Sequence, residues 1–204
     1  LIPTSRDSFT AGINNSIFVN KSGERFVRED GRRDELSAAV LKQPGQAFYK
    51  VVDTHTTVDE LNGVTYKGVK IEDRAKEDFV FYGETLEELA EDAGFDKDTF
   101  LAAVNDYNAA VEKHEDKFGR QLFDQKIDAG PFYAIQGEIK VHHTMGGINI
   151  NEKTQALDKN GDVIPGLYAA GEVTGGIHGS NRLGGNAITD VITFGRIAGE
   201  EMSK

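Results

Sequence analysis

Cysteine is absent from the 204 residues, which excludes disulfides, thiolate metal sites, cysteine nucleophiles and haem-attachment motifs within this stretch. Long apolar runs are absent too. The longest cover only a few residues, and a membrane-spanning helix needs about 20. Positive charge is scarce: 23 Lys and Arg stand against 34 Asp and Glu, a formal net charge of −11. A phosphate backbone is held by the opposite surplus, so nucleic acid is not expected as a partner. The chain opens at Leu1 with no charged-then-apolar leader and reads as a cut piece, leaving the compartment open. GxGxxG and GxxxxGK followed by Ser or Thr, the usual dinucleotide and triphosphate signatures, are both missing.

What is present is a globular composition, 38% hydrophobic and 28% charged, with 12 Phe and 6 Tyr. The length suits one ordinary domain, or a small domain plus part of another. Near the start, Ser16–Asn20 and Glu24–Arg28 alternate around the turn Lys21-Ser22-Gly23 and predict a β-hairpin. Asp34 is expected to cap a short helix over Leu36–Leu41, with Arg33 where loop becomes helix. From Val58 to Tyr82 the pattern is weak. Thr85 and Glu88 form a capping box for a helix with Leu86, Leu89, Ala90 and Ala93 on one face, ended by Gly94. Asp96 starts a second helix whose stripe is Phe100, Val104, Tyr107 and Val111.

Gly130-Pro131 marks a change of character. Beyond it the sequence predicts a strand over Phe132–Ile135, another ending in Val141, one at Gly147–Ile150, and a turn at Asn160-Gly161-Asp162. Leu167–Glu172 reads as a short buried strand closing on Gly171, and Asn186–Met202 as a helix with Ile188, Val191, Ile192 and Ile197 inward. The expected fold is therefore α+β: a mixed, cap-like domain over 1–135, then strands and a helix of a nucleotide-binding fold over 136–204.

Three segments concentrate Gly, His and Arg beyond the needs of a core: Arg32-Arg33-Asp34, His142–Gly147 (HHTMGG) and Gly171–Ala187 (GEVTGGIHGSNRLGGNA), the last with six Gly in seventeen residues before a helix. Such a run lets backbone approach a ligand and aims the free N–H groups of a helix start at an electron-rich partner.

With GERFVREDGRRD upstream, the motifs HHTMGG, GLYAAGEVTGG and HGSNRLGGNAITD, in this order, resemble the FAD-dependent fumarate reductase and succinate dehydrogenase flavoprotein superfamily, most closely its flavocytochrome c and urocanate reductase branch. The resemblance covers nearly the whole chain. It implies a capping, substrate-lid domain followed by the C-terminal part of a Rossmann-like FAD-binding domain. It also implies hydride transfer from reduced FAD to the C=C bond of a small unsaturated carboxylate such as fumarate or urocanate.

By the same resemblance, His142 and Arg182 grip a substrate carboxylate, drawing electron density from the conjugated double bond, and Arg33 is the acid that protonates the neighbouring carbon. Thr144 and Gly185 line the substrate side. Glu172 is assigned to FAD hydroxyls, and His143, Ala187 and Ile188 to the isoalloxazine, the last two through backbone N–H groups at a helix start. Electrons are implied to arrive from an upstream haem, FMN or iron–sulfur domain or protein.

Two departures stand out. A Glu and an Arg that complete a proton relay in fumarate-reducing members align with Phe9 and Gly12, neither able to carry a proton, with Arg6 and Asp7 nearby; another enoate then fits as well as fumarate. The Gly-rich fingerprint that holds the ADP part of FAD is also missing, so the 204 residues alone are expected to bind FAD weakly or not at all. The alternatives are a related flavin dehydrogenase or oxidase, or a cap or interaction module without activity of its own.

Overall fold

The computed structural model describes residues 2–5, 16–55, 78–141 and 143–204. The chain divides into two compact units, Leu1–Lys140 and Val141–Lys204. That division falls a few residues beyond the expected 135/136 boundary, which lies inside one continuous strand.

The first unit is built on an antiparallel sheet. Its strands are β1 (Ile2–Ser5), β2 (Ile17–Val19), β3 (Phe48–Val52), β4 (Val80–Gly83) and β5 (Phe132–Lys140). The order is β1-β5-β3-β2, and β4 also pairs with β5. Strand β5 is central: Lys50 faces Ile135 on one side and Val80 faces Ile135 on the other. The two strands expected over Phe132–Ile135 and up to Val141 are this one strand. Gly137 does not interrupt it; a Cβ there would stand 2.2 Å from Cζ of Phe48, so the glycine is where that ring crosses the strand.

Period-two alternation sends side chains to both faces. Ile17, Val19, Tyr49, Val51, Phe132 and Ala134 meet Leu89, Ala90, Phe100, Val104 and Tyr107 on one side. Phe18 and Phe48 meet Leu36 and Val40 on the other. The helices supplying these partners are α1 (Arg33–Leu41), α2 (Leu86–Ala93) and α3 (Lys97–Lys113). Phe100 and Val104 are fully buried, each contributing about 1.5–3 kcal/mol of transfer free energy.

The caps of α2 and α3 form as the sequence predicts. Thr85 Oγ1 accepts from the Glu88 N–H at 3.2 Å, Glu88 Oε2 accepts from the Thr85 N–H at 3.2 Å, and Gly94 closes α2 in the left-handed region. Asp96 Oδ1 accepts from the Thr99 N–H at 3.0 Å at the start of α3.

Two local expectations change. The second arm of the predicted hairpin is not a strand: among the described residues its ladder pairing with β2 is limited to the Val19–Arg25 bridge, because Arg25 turns inward to a buried carboxylate. Helix α1 starts at Arg33, earlier than expected, with Arg32 as its N-cap. Asp34 lies inside the first turn, paired with Arg32 at 2.6 Å. Most of the weakly patterned stretch from Val58 to Tyr82 lies outside the described residues, as do Arg6, Asp7, Phe9 and Gly12.

The second unit holds a parallel pair, β6 (Ile148–Asn149) with β9 (Thr174–Gly175), and an antiparallel hairpin, β7 (Gln155–Leu157) with β8 (Val163–Tyr168). The hairpin turns at Asp158–Asp162, where Asp158 Oδ1 accepts from the N–H groups of Asn160 and Asp162 at 2.8 and 3.0 Å. Helix α4 (Asn186–Met202) closes the unit. The expected buried strand over Leu167–Glu172 is displaced: β8 ends at Tyr168, and Leu167 is 44% exposed.

The expected inward stripe of α4 is also displaced. Ile188 and Ile192 are each 65% exposed, while Asp190 and Ala198 are buried and Ile197 is half-buried. Apolar residues surround more than one side of this helix. Its own unit covers the side carrying Asp190 and Ala198, and periodicity cannot say which apolar side a neighbour will take. Among the described residues no helix is long and apolar enough to cross a membrane.

Candidate functional site in the second unit

The two glycine-rich motifs meet through backbone. The Ile148 N–H donates to Val173 O at 2.9 Å, and a Cβ on Gly147 would stand 2.1 Å from that same oxygen. Only glycine permits this approach, so HHTMGG and GEVTGG are held side by side.

That pairing brings four of the expected site residues together. Glu172 Oε1 accepts from the Thr144 N–H at 2.9 Å and from its hydroxyl at 3.4 Å. Its other oxygen lies 4.0 Å from Nε2 of His143. The Thr144 N–H bond, helped by the His143 and Arg182 charges, holds the Glu172 carboxyl below its usual range, although partial desolvation pulls the other way. An ionised acceptor results, half exposed and able to receive ligand hydroxyls.

His143 and Arg182 are buried. Among the described residues His143 Nδ1 and Arg182 Nε nevertheless have no hydrogen-bond partner, and Arg182 spends one Nη1 donor on Leu183 O at 2.8 Å. Buried polar atoms are normally satisfied, so unpartnered ones point to an absent ligand or water. Gly185 is the N-cap of α4 and exposed. Ala187 holds the second helical position, whose N–H has no acceptor within a helix. The Ile188 N–H already donates to Gly185 O at 3.0 Å, which leaves Ala187 as the freer of the two amides.

His178 and Asp190 belong to the same cluster and were not singled out from the sequence. The His178 ring stands edge-on to His143, with centroids 5.5 Å apart, and its Nε2 lies 3.0 Å from Asp190 Oδ2. The available signal was a histidine inside the Gly-rich run, HGSNRLGG; its aspartate partner twelve positions on becomes visible only once α4 packs.

His142 lies outside the described residues. Arg33 belongs to the first unit, at the first position of α1 and exposed. Asp34 pairs with Arg32 and not with Arg33; among the described residues no carboxylate pairs with the Arg33 guanidinium.

An amide at a helix start, an acceptor carboxylate and two buried nitrogens without a hydrogen-bond partner among the described residues suit a large, polar, electron-rich cofactor. The chain belongs to the FAD binding domain family, whose model matches residues 10–188. It is 45% identical over 190 residues to an NADH:acrylate oxidoreductase of Vibrio harveyi, covering 93% of this chain and 18% of that protein. It is 42% identical over 192 residues to a fumarate reductase (cytochrome) of Shewanella frigidimarina, covering 94% of this chain and 32% of that protein. The structure of the open conformation of a flavocytochrome c3 fumarate reductase superposes with a TM-score of 0.76 at 36% identity, over 99% of this chain and 36% of that one. The chain thus spans about a third or less of the length of these relatives.

FAD is the cofactor of this family. The residues present fit one part of it: His143 offers a buried ring nitrogen, Ala187 an amide, and Glu172 an acceptor.

Proposed function

We propose that this chain is the substrate-side portion of a flavin-dependent reductase that saturates the C=C bond of a small α,β-unsaturated carboxylate. In this reading the first unit is the substrate cap and the second the C-terminal segment of the FAD-binding domain. FAD, when bound, supplies the hydride equivalent for one carbon of the double bond. Arg182 and His142 hold the substrate carboxylate and polarise the conjugated bond. Arg33 gives the proton to the other carbon, so two electrons and two hydrogens enter and the saturated acid leaves. Thr144 and Gly185 line the substrate side, while His143, Glu172, Ala187 and Ile188 hold the flavin. Electrons come from an upstream haem, FMN or iron–sulfur element.

The observation that carries the reading is the clustering of two buried nitrogens without a hydrogen-bond partner among the described residues, His143 Nδ1 and Arg182 Nε, beside Thr144 and Glu172. The names of the relatives, acrylate and fumarate oxidoreductases, support the substrate class. The test is full-length protein assayed with a reduced dye and a panel of enoates: acrylate, fumarate and urocanate. Turnover of at least one is expected, and Arg33→Ala lowers it about 10²–10⁴-fold, the usual range for a lost acid, with FAD still bound. Undiminished turnover in that variant removes Arg33 from the mechanism, and no turnover with any enoate favours a flavin dehydrogenase or oxidase acting on other substrates.

A further inference from the structure

His143 is buried, yet no hydrogen bond fixes its ring among the described residues. Its Nδ1 has no partner, and its Nε2 is 4.0 Å from Glu172 Oε2, beyond hydrogen-bond reach. What bounds it is a second imidazole. The His178 ring meets it edge-on, at an interplanar angle of 82°. This is a favoured geometry between rings, positive edge against negative face.

His178, in contrast, is fixed. Its Nε2 is 3.0 Å from Asp190 Oδ2, and the two side chains are 13% and 3% exposed. A carboxylate that engages one imidazole nitrogen sets ring orientation and tautomer, as it does behind metal-binding and catalytic histidines. Asp190 itself is carried on α4, in the second turn after the helix start that bears Ala187. The same element therefore presents the free amide and anchors the ring that walls His143.

Building on the reading of His143 as a flavin contact, we propose that Asp190 and His178 are positioning residues: Asp190 anchors His178, whose ring holds His143 in the orientation it presents to the isoalloxazine. Neither residue needs to touch FAD or substrate. Their effect is carried by His143, and an imidazole donor beside the flavin favours its electron-rich reduced form.

The readout is the midpoint potential of the flavin in FAD-loaded, full-length protein. His143→Ala lowers it by about 30 mV, the equivalent of a tenfold change in the relative affinity for reduced and oxidised flavin in a two-electron couple. His178→Ala produces a shift of the same sign while His143 is present and no further shift in the His143→Ala background. Asp190→Leu, which fills the buried space, does the same and serves where His178→Ala does not accumulate. Asp190→Asn keeps an acceptor oxygen for His178 and retains the wild-type potential. An unmoved potential in His178→Ala and Asp190→Leu, or an equal shift with His143 removed, overturns the positioning roles and leaves the flavin contact standing. An unmoved potential in His143→Ala overturns the contact and the positioning roles together.

Discussion

Replacing Glu29 by Gln tests the buried charge cluster beneath the loop that leads to Arg33. Glu29 is fully buried. It accepts from the Phe18 N–H at 3.0 Å, from Nε and Nη2 of Arg25 at 3.0 and 2.9 Å, and from Nη1 of Arg120 at 2.9 Å. Arg25 also donates to Asp116 at 2.7 Å. Among the described residues two guanidiniums thus share two carboxylates, and the side chains of Arg25, Glu29 and Arg120 are 0% exposed. The amide keeps one acceptor oxygen, turns two donors toward the guanidiniums and removes one of the negative charges that face them. Breaking a buried pair costs about 3–5 kcal/mol, a large part of a typical total of about 5–15 kcal/mol. With a urea slope of about 1–3 kcal/mol/M, the unfolding midpoint of the first unit should fall by roughly 2 M with the slope unchanged. Adding Arg120→Met removes one of the positive charges and should recover part of the loss. A midpoint shift below about 0.3 M in the single variant would refute the reasoning, because the guanidiniums would then have found water.

Acid should act on the same cluster. Burial alone would raise the Asp116 carboxyl, but the Arg25 hydrogen bond and charge outweigh it and hold it below its ordinary 3.8. The native form therefore binds its proton later than the unfolded chain does. Its contribution is complete above the ordinary value and is lost as pH falls from there toward the native one. Urea midpoints measured down through that window should drop less steeply in Asp116→Asn than in the wild type, and parallel curves would contradict this. In the second unit, Gly147→Ala would drive a Cβ to 2.1 Å from Val173 O and part the backbone contact that brings Thr144 to Glu172. Full-length protein carrying it should lose FAD, measured as flavin absorbance per protein, whereas an undiminished flavin content would show that the contact is dispensable.

Local chemistry explains why some elements were legible in the sequence. The boundaries of α2 and α3 were read from Thr85, Glu88, Gly94 and Asp96 because a cap is made within four residues of chain. The stripe Phe100, Val104, Tyr107 pointed inward as expected, since the opposite face of that helix is polar. The failures have one physical cause. Glu24–Arg28 has the alternation of a strand, but Arg25 is claimed by Glu29 and Asp116, the latter 91 positions away. Ile188, Val191 and Ile192 look like core, yet burial depends on which neighbour packs against α4, and here that neighbour meets the Asp190 side.

By resembling those of a known family, the motifs in the sequence pointed to the family, the cofactor and the residues worth testing, while local chemistry by itself showed only that a glycine-rich run before a helix lets backbone approach a ligand. Tertiary structure alone decided that HHTMGG and GEVTGG lie against each other, that Glu172 is bound to Thr144, and that Asp190 reaches back to His178. Each of these is a contact between segments that are distant along the chain, and such contacts are set by packing, on which composition and periodicity are silent.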